Sequence, residues 1–142
     1  MDSQIIKCII VDDERLFRDY LKEAVDWRNH GFVISGEAEN GIQALTLANK
    51  QSPDVMFIDI DMPHMDGLSL IGELQQQKRN IQYILITGFG DFKYTHRAIQ
   101  LGVFDYLRKP FDEDELTACL LKICPRSRSE PEKAPNNSCC NR

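Results

Sequence analysis

No apolar run in this chain approaches the roughly 20 residues that a membrane-spanning helix needs, and the first residues carry no signal-peptide pattern. No membrane partner is expected, and a cytoplasmic location is. Basic charge is scarce: 17 lysines and arginines against 22 aspartates and glutamates give a net charge of −5, with no stripe dense enough to hold nucleic acid. Direct DNA contact by these residues is therefore not expected. The five cysteines form no framework. Cys8 lies in an apolar run, Cys119 and Cys124 fall on a helical stretch, and Cys139 and Cys140 are neighbours in polar sequence. None of them forms the C-x-x-C pairing of a zinc site. Buried thiols acting as small hydrophobes are the expectation.

What the chain does have is enough apolar content for one proper core, 42% of 142 residues. Ile5 to Val11 reads as a first strand, interrupted only by Lys7. From Glu14 the period becomes helical, with Leu16, Phe17, Tyr20, Leu21, Ala24 and Val25 on one face and Arg15, Arg18, Asp19, Lys22 and Glu23 opposite. Asn29-His30-Gly31 breaks that pattern, and Phe32 to Ala38 is a second strand. Ile42 to Lys50 carries Ala44, Leu45 and Ala48 on one side of a small helix that Ser52-Pro53 ends. Val55 to Ile58 is a third strand, and Leu68, Ile71 and Leu74 mark a helix reaching about Gln77. Gln82 to Thr87 is a fourth strand, followed by a turn and a helix that Asp91 is placed to cap and that ends near Gly102. Phe104 to Leu107 is a short fifth strand, and Asp112 opens a last helix with Leu116, Cys119, Leu120 and Ile123 inward. Residues 1–124 thus read as one domain. Residues 125–142, rich in Arg, Ser, Glu, Pro and Asn without an apolar period, read as a disordered tail or linker.

Strands alternating with helices, with no internal sequence repeat, imply a doubly wound α/β domain with a five-stranded parallel sheet. In such a sheet the carboxyl ends of the strands share one edge, where ligands bind. The first apolar run ends in Asp12 and Asp13, the third in Asp59, and later ones near Thr87 and Lys109. Pro63, Gly67 and Pro110 enforce backbone turns after these strand ends. Gathering three carboxylates is unfavourable, since one like-charge pair about 4 Å apart costs about 4 kcal/mol at an effective dielectric of about 20. A divalent cation removes the difficulty, and oxygen donors without His or Cys favour Mg²⁺, or alternatively Mn²⁺, over zinc.

These residues resemble the response-regulator receiver domain of bacterial two-component signalling. The motifs that carry the likeness are Val11-Asp12-Asp13-Glu14, Asp59 with Met62-Pro63 and Met65-Asp66-Gly67, Thr87-Gly88, and Tyr106 with Lys109-Pro110-Phe111, between about Ile5 and Ile123. The resemblance implies a flavodoxin-like (βα)5 fold with strand order 2-1-3-4-5. It implies that Asp59 is the acceptor of a phosphoryl group from a sensor histidine kinase. Asp13 and Asp59 would ligate Mg²⁺ with the backbone carbonyl of Asp61, and Asp12 would act mainly through a bound water. Thr87, Gly88 and Lys109 would bind the phosphoryl group, and Thr87 with Tyr106 would form a switch that alters the surface of the fourth helix, fifth strand and fifth helix. The implied protein is not a turnover enzyme on a separate substrate. Homodimer formation on phosphorylation is a further implication. Asp26-Trp27, Gly31-Phe32, Gly36 to Gly41 and Thr87 to Tyr94 look like the YesN-type regulators, whose members usually carry an AraC-type DNA-binding domain. DNA would be reached only through such an output domain, which is not in these residues.

Two positions depart from the family pattern. Asp61 stands where a neutral or basic side chain is commoner, and His64 where glycine is frequent. Asp61 adds negative charge at the mouth of the site and is expected to alter metal affinity and acyl-phosphate lifetime. His64 reads as a solvated loop residue. The rival readings are a haloacid-dehalogenase-type phosphatase and a receiver-fold binding module that is not phosphorylated. Phe57-Ile-Asp-Ile-Asp61 resembles the phosphatase nucleophile motif, but Met62-Pro63 and the early acidic pair do not fit it. A flavodoxin is disfavoured because no Ser/Thr/Gly-rich loop follows the first strand.

Overall fold

A computed structural model of the chain describes residues 5–62, 65–77, 80–88 and 94–123. Strands β1 (Ile6–Val11), β2 (Phe32–Ala38), β3 (Val55–Asp59), β4 (Gln82–Thr87) and β5 (Asp105–Arg108) alternate with helices α1 (Arg15–Ala24), α2 (Gly41–Gln51), α3 (Gly67–Gln76), α4 (Thr95–Leu101) and α5 (Glu113–Lys122). A short 3₁₀ turn, Arg28–His30, precedes β2 and ends at Gly31, whose φ of 87° suits glycine. All strand pairs are parallel and the sheet order is β2-β1-β3-β4-β5, the flavodoxin-like arrangement.

The near-continuous apolar strands follow from burial on both faces. Along β1, Cys8 and Ile10 join a core with Leu21 of α1, Phe57, Ile84, and Leu116 and Leu120 of α5. Ile9 and Val11 point the other way, into a core with Met56, Ile58, Ala44 and Ala48 of α2, Leu68, Ile71 and Leu74 of α3, and Ala98 of α4. The alternation along each strand thus sorts the helices into two layers. Cys8 and Cys119 are buried free thiols.

The N-termini of α2, α3 and α5 are fixed by side chains. Asn40 caps α2 by accepting from the Gln43 N–H, and Asp66 caps α3 by accepting from the Ser69 N–H. Asp112 and Glu115 form a reciprocal capping box on α5.

Three sequence expectations are corrected. Leu16 and Tyr20 do not face inward: they are 81% and 44% exposed, while Leu21 is fully buried and Phe17 and Ala24 pack beside it. The apolar arc of α1 spans two adjacent stripes, and only the 17–21–24 stripe meets the sheet. Arg18 is not on the solvent face, since its side chain is only 11% exposed. The first strand starts at Ile6, with Ile5 exposed, and the fifth runs from Asp105 rather than Phe104. Helix α4 starts at Thr95 after an N-cap residue Tyr94. Asp91, Pro63, His64, Cys124, Cys139, Cys140 and the expected tail lie outside the described residues. Among the described residues, no helix is long and apolar enough to cross a membrane.

Candidate functional site

Register brings the acidic strand ends together. Val11 of β1 pairs with Ile58 of β3, so Asp12 and Asp59 emerge side by side one residue further on. On the other flank Asp59 pairs with Ile86, and Thr87 with Arg108, which sets Gly88 and Lys109 across the same edge. The Lys109 N–H donates to the Thr87 carbonyl at 2.7 Å and continues the ladder one residue past β5. The result is a cleft of about 390 Å³ lined by Asp12, Asp13, Glu14, Asp59, Asp61, Gly88 and Lys109.

Asp12, Asp13 and Asp59 each offer a carboxylate oxygen, and these atoms lie within 4.8 Å of one another. Asp12 is fully buried and Asp59 nearly so, while Asp13 is exposed. Asp12 is held at three points. Its Oδ1 accepts from the Glu14 N–H at 2.8 Å, its Oδ2 lies 3.5 Å from Lys109 Nζ, and its backbone carbonyl accepts from Arg18 Nη1 at 2.6 Å. Arg18 Nε also donates to Glu37 Oε1 at 2.7 Å, and Lys22 pairs with the other oxygen of Glu37, tying α1 to the end of β2.

Lys109 Nζ lies 3.9 Å from Asp59 Oδ1 and 4.2 Å from the centroid of the Phe17 ring. Burial pushes the Asp59 carboxyl up to about 7, and the Asp12 charge adds to the rise; Lys109 and the Asp61 N–H pull the other way. Asp12 is also raised, by burial first, against the Glu14 hydrogen bond and Lys109. Two buried carboxylates facing one partly exposed ammonium therefore leave uncompensated negative charge. Such a donor set, oxygen only and short of positive charge, fits a hard divalent cation.

Glycine is required where the loop after β3 turns back. A Cβ on Gly67 would meet the Asp59 carbonyl oxygen at 2.6 Å, and the Gly67 N–H donates to the Ile60 carbonyl at 3.1 Å. The first turn of α3 thus presses directly on the backbone that carries Asp59.

Of the sequence candidates, Asp12, Asp13, Asp59, Asp61, Gly88 and Lys109 share the cleft. The Thr87 hydroxyl is turned to the Leu107 carbonyl at 3.5 Å, and Tyr106 is 49% exposed. Pro110 follows Lys109 through a cis peptide bond. Sequence reasoning overlooked Phe17, Arg18 and Glu14 as parts of the site. The signal was present: the first turn of a helix that starts just past Asp13 must lie beside the strand ends.

The family model for the response regulator receiver domain matches residues 8–121. The transcriptional regulatory protein YesN of Bacillus subtilis is 34% identical over 117 residues, covering 82% of this chain and 32% of that protein. The transcriptional regulatory protein HptR of Staphylococcus aureus is 34% identical over 119 residues, 84% of this chain and 46% of that protein. Among solved structures, the receiver domain of AraT, a response regulator from Geobacillus stearothermophilus, is 39% identical with a TM-score of 0.79, covering 84% of this chain and 92% of that one. The chain spans between 32% and 46% of the length of these two curated relatives.

Proposed function

The chain belongs to the response regulator receiver family, and from that premise we propose that Asp59 accepts a phosphoryl group from a phosphohistidine of a sensor kinase. The observation that carries the proposal is the meeting of three carboxylate oxygens within 4.8 Å, with the Lys109 ammonium 3.9 Å from Asp59. An Asp59 oxygen attacks phosphorus, the P–N bond breaks with its electron pair returning to the imidazole nitrogen, and an acyl phosphate forms. Asp13 and Asp59, with the backbone carbonyl of Asp61, would hold Mg²⁺ (or Mn²⁺), and Asp12 would act through water. When bound, the ion neutralises charge on the transferring oxygens. Lys109 pairs with one phosphoryl oxygen, Gly88 leaves room beside another, and the Thr87 hydroxyl leaves Leu107 to donate to it.

Phosphorylation then shifts an existing equilibrium of the α4–β5–α5 surface, with Tyr106 following Thr87. Receiver domains are signalling modules rather than turnover enzymes. The output we propose is transcription through an AraC-type DNA-binding domain, with homodimer formation on phosphorylation, in the cytoplasm. The names of the relatives, both transcriptional regulatory proteins, support a transcriptional output.

The test is intact mass spectrometry after incubation with Mg²⁺ and acetyl phosphate. One added phosphoryl group per chain is expected, absent without metal and absent in Asp59→Asn. A folded wild-type protein that gains no mass overturns the proposal.

A further inference from the structure

Lys109 makes two carboxylate contacts, and both are long. Its Nζ stands 3.5 Å from Asp12 and 3.9 Å from Asp59, whereas Lys122 closes to 2.9 Å on the much more exposed Asp105. An ammonium facing two nearly buried carboxylates has every electrostatic reason to close further. The same Nζ also stands over the Phe17 ring, 4.2 Å from its centroid. That ring is braced in turn: it meets Phe111 edge-on at 5.9 Å and Tyr20 at 5.9 Å. The Tyr20 hydroxyl donates to the Phe111 carbonyl at 3.0 Å, tying the segment after Lys109 to α1. The ring is thus packed from two sides, and the face it presents to the ammonium is the negative one.

We propose that Phe17 is a positioning residue that draws the Lys109 ammonium out of full contact with Asp12 and Asp59, keeping those carboxylates open to the metal ion. The inference rests on the receiver reading of the same cleft. Without the ring, the ammonium closes on the carboxylates and competes with the cation for their oxygens. Shortening one such pair from 3.9 Å to ordinary ion-pair distance corresponds to a factor on the order of ten at an effective dielectric of about 20. A partly exposed cation–π contact is of the same order.

The test is isothermal titration of the apo protein with Mg²⁺ alone. Phe17→Leu is expected to weaken Mg²⁺ binding about three- to tenfold, and Phe17→Tyr, which keeps the ring face, to leave it within about twofold. In the Lys109→Met background the same Phe17→Leu change is expected to have no effect, because the competitor is gone. Pentafluorophenylalanine in place of Phe17 keeps the shape and reverses the ring charge; it is expected to weaken binding as the Leu variant does, and it serves if that variant fails to fold. Unchanged affinity in both replacements, or an equal loss with Lys109 absent, overturns the inference. A wild type that binds no Mg²⁺ at all overturns the receiver reading instead, so the two failures are distinguishable.

Discussion

On the β1–β3 side of the cleft, Asp12 is fully buried, its Oδ1 and its backbone carbonyl are held by hydrogen bonds of 2.8 and 2.6 Å, and Gly67 packs α3 directly against the backbone of Asp59. On the β4–β5 side, the Thr87 hydroxyl reaches the Leu107 carbonyl only at 3.5 Å, Tyr106 is 49% exposed, and α4 has seven residues with Ile99 turned to solvent. The two sides flank the same cleft but are held differently. Metal and acceptor chemistry needs fixed geometry, because misplaced donors lose most of their effect. A conformational response needs the opposite, an arrangement whose alternatives differ by little free energy. The contrast fits the proposed division, with chemistry on the acidic side and response on the β4–β5 side.

The sharpest way to break this comparison is to ask whether the acidic side is held at a cost. The folded-state value of about 7 for Asp59 lies above the ordinary carboxylate value, so the folded protein binds that proton more tightly than the unfolded chain. The stability this confers is complete below about pH 4, falls as pH rises, and is gone above about 7. Asp59→Asn lacks the Asp59 share of this dependence. In urea unfolding with a chelator at pH 8.5, it is expected to be more stable than wild type by about 2–4 kcal/mol, with the difference closing toward pH 4. Saturating Mg²⁺ should stabilise the wild type and not the variant. Equal stabilities across that range would mean that the carboxylate is not under strain.

A smaller effect separates two glycines of one helix. Gly67→Ala forces a Cβ to within 2.6 Å of the Asp59 carbonyl, and backbone cannot move as a side-chain tip can. It is expected to lose about 1–3 kcal/mol and to weaken Mg²⁺ binding, because the displaced atom belongs to the proposed acceptor residue. Gly72, also in α3, has open space where a Cβ would go, and Gly72→Ala should gain about 0.5–1 kcal/mol through helix propensity. Chemical denaturation of both variants checks the pair. Equal losses would show α3 to be intolerant in general rather than at its contact with β3.

The sequence carried the fold because each strand is buried on both faces: Val55–Asp59 has no exposed position, so its run is unmistakable. The strand ends carried the acidic site for the same reason, since a run that stops at a carboxylate marks the edge. What the sequence could not carry is which of two adjacent helical stripes faces the sheet. Leu16 and Leu21 are equally apolar, yet one is 81% exposed and the other buried. Arg18 looked like a solvated charge because its partners, the Asp12 carbonyl just past β1 and Glu37 of β2, are set beside it only by the fold. Phe17 looked like ordinary core, and only tertiary placement sets it against Lys109, 92 positions later in the chain.

The smallest expected effect lies on the looser side. Thr87→Val removes a hydroxyl whose one described contact, to the Leu107 carbonyl at 3.5 Å, is at the limit of a hydrogen bond. Stability should change by no more than about 0.5 kcal/mol, and Mg²⁺ affinity by less than about twofold, because Thr87 does not line the cleft in this state. The response should nevertheless be lost. If the hydroxyl is what the phosphoryl group draws inward, the phosphorylated variant has nothing to pull, and Tyr106 keeps its present exposure. Nitration of Tyr106 by tetranitromethane, read by peptide mass spectrometry, reports that exposure directly. In the wild type, acetyl phosphate with Mg²⁺ should slow nitration of Tyr106. In Thr87→Val the rate should stay at its unphosphorylated value although Asp59 is still modified. Slowed nitration in the variant would move the switch to some other group, and the assignment of response to the β4–β5 side would then rest on packing alone.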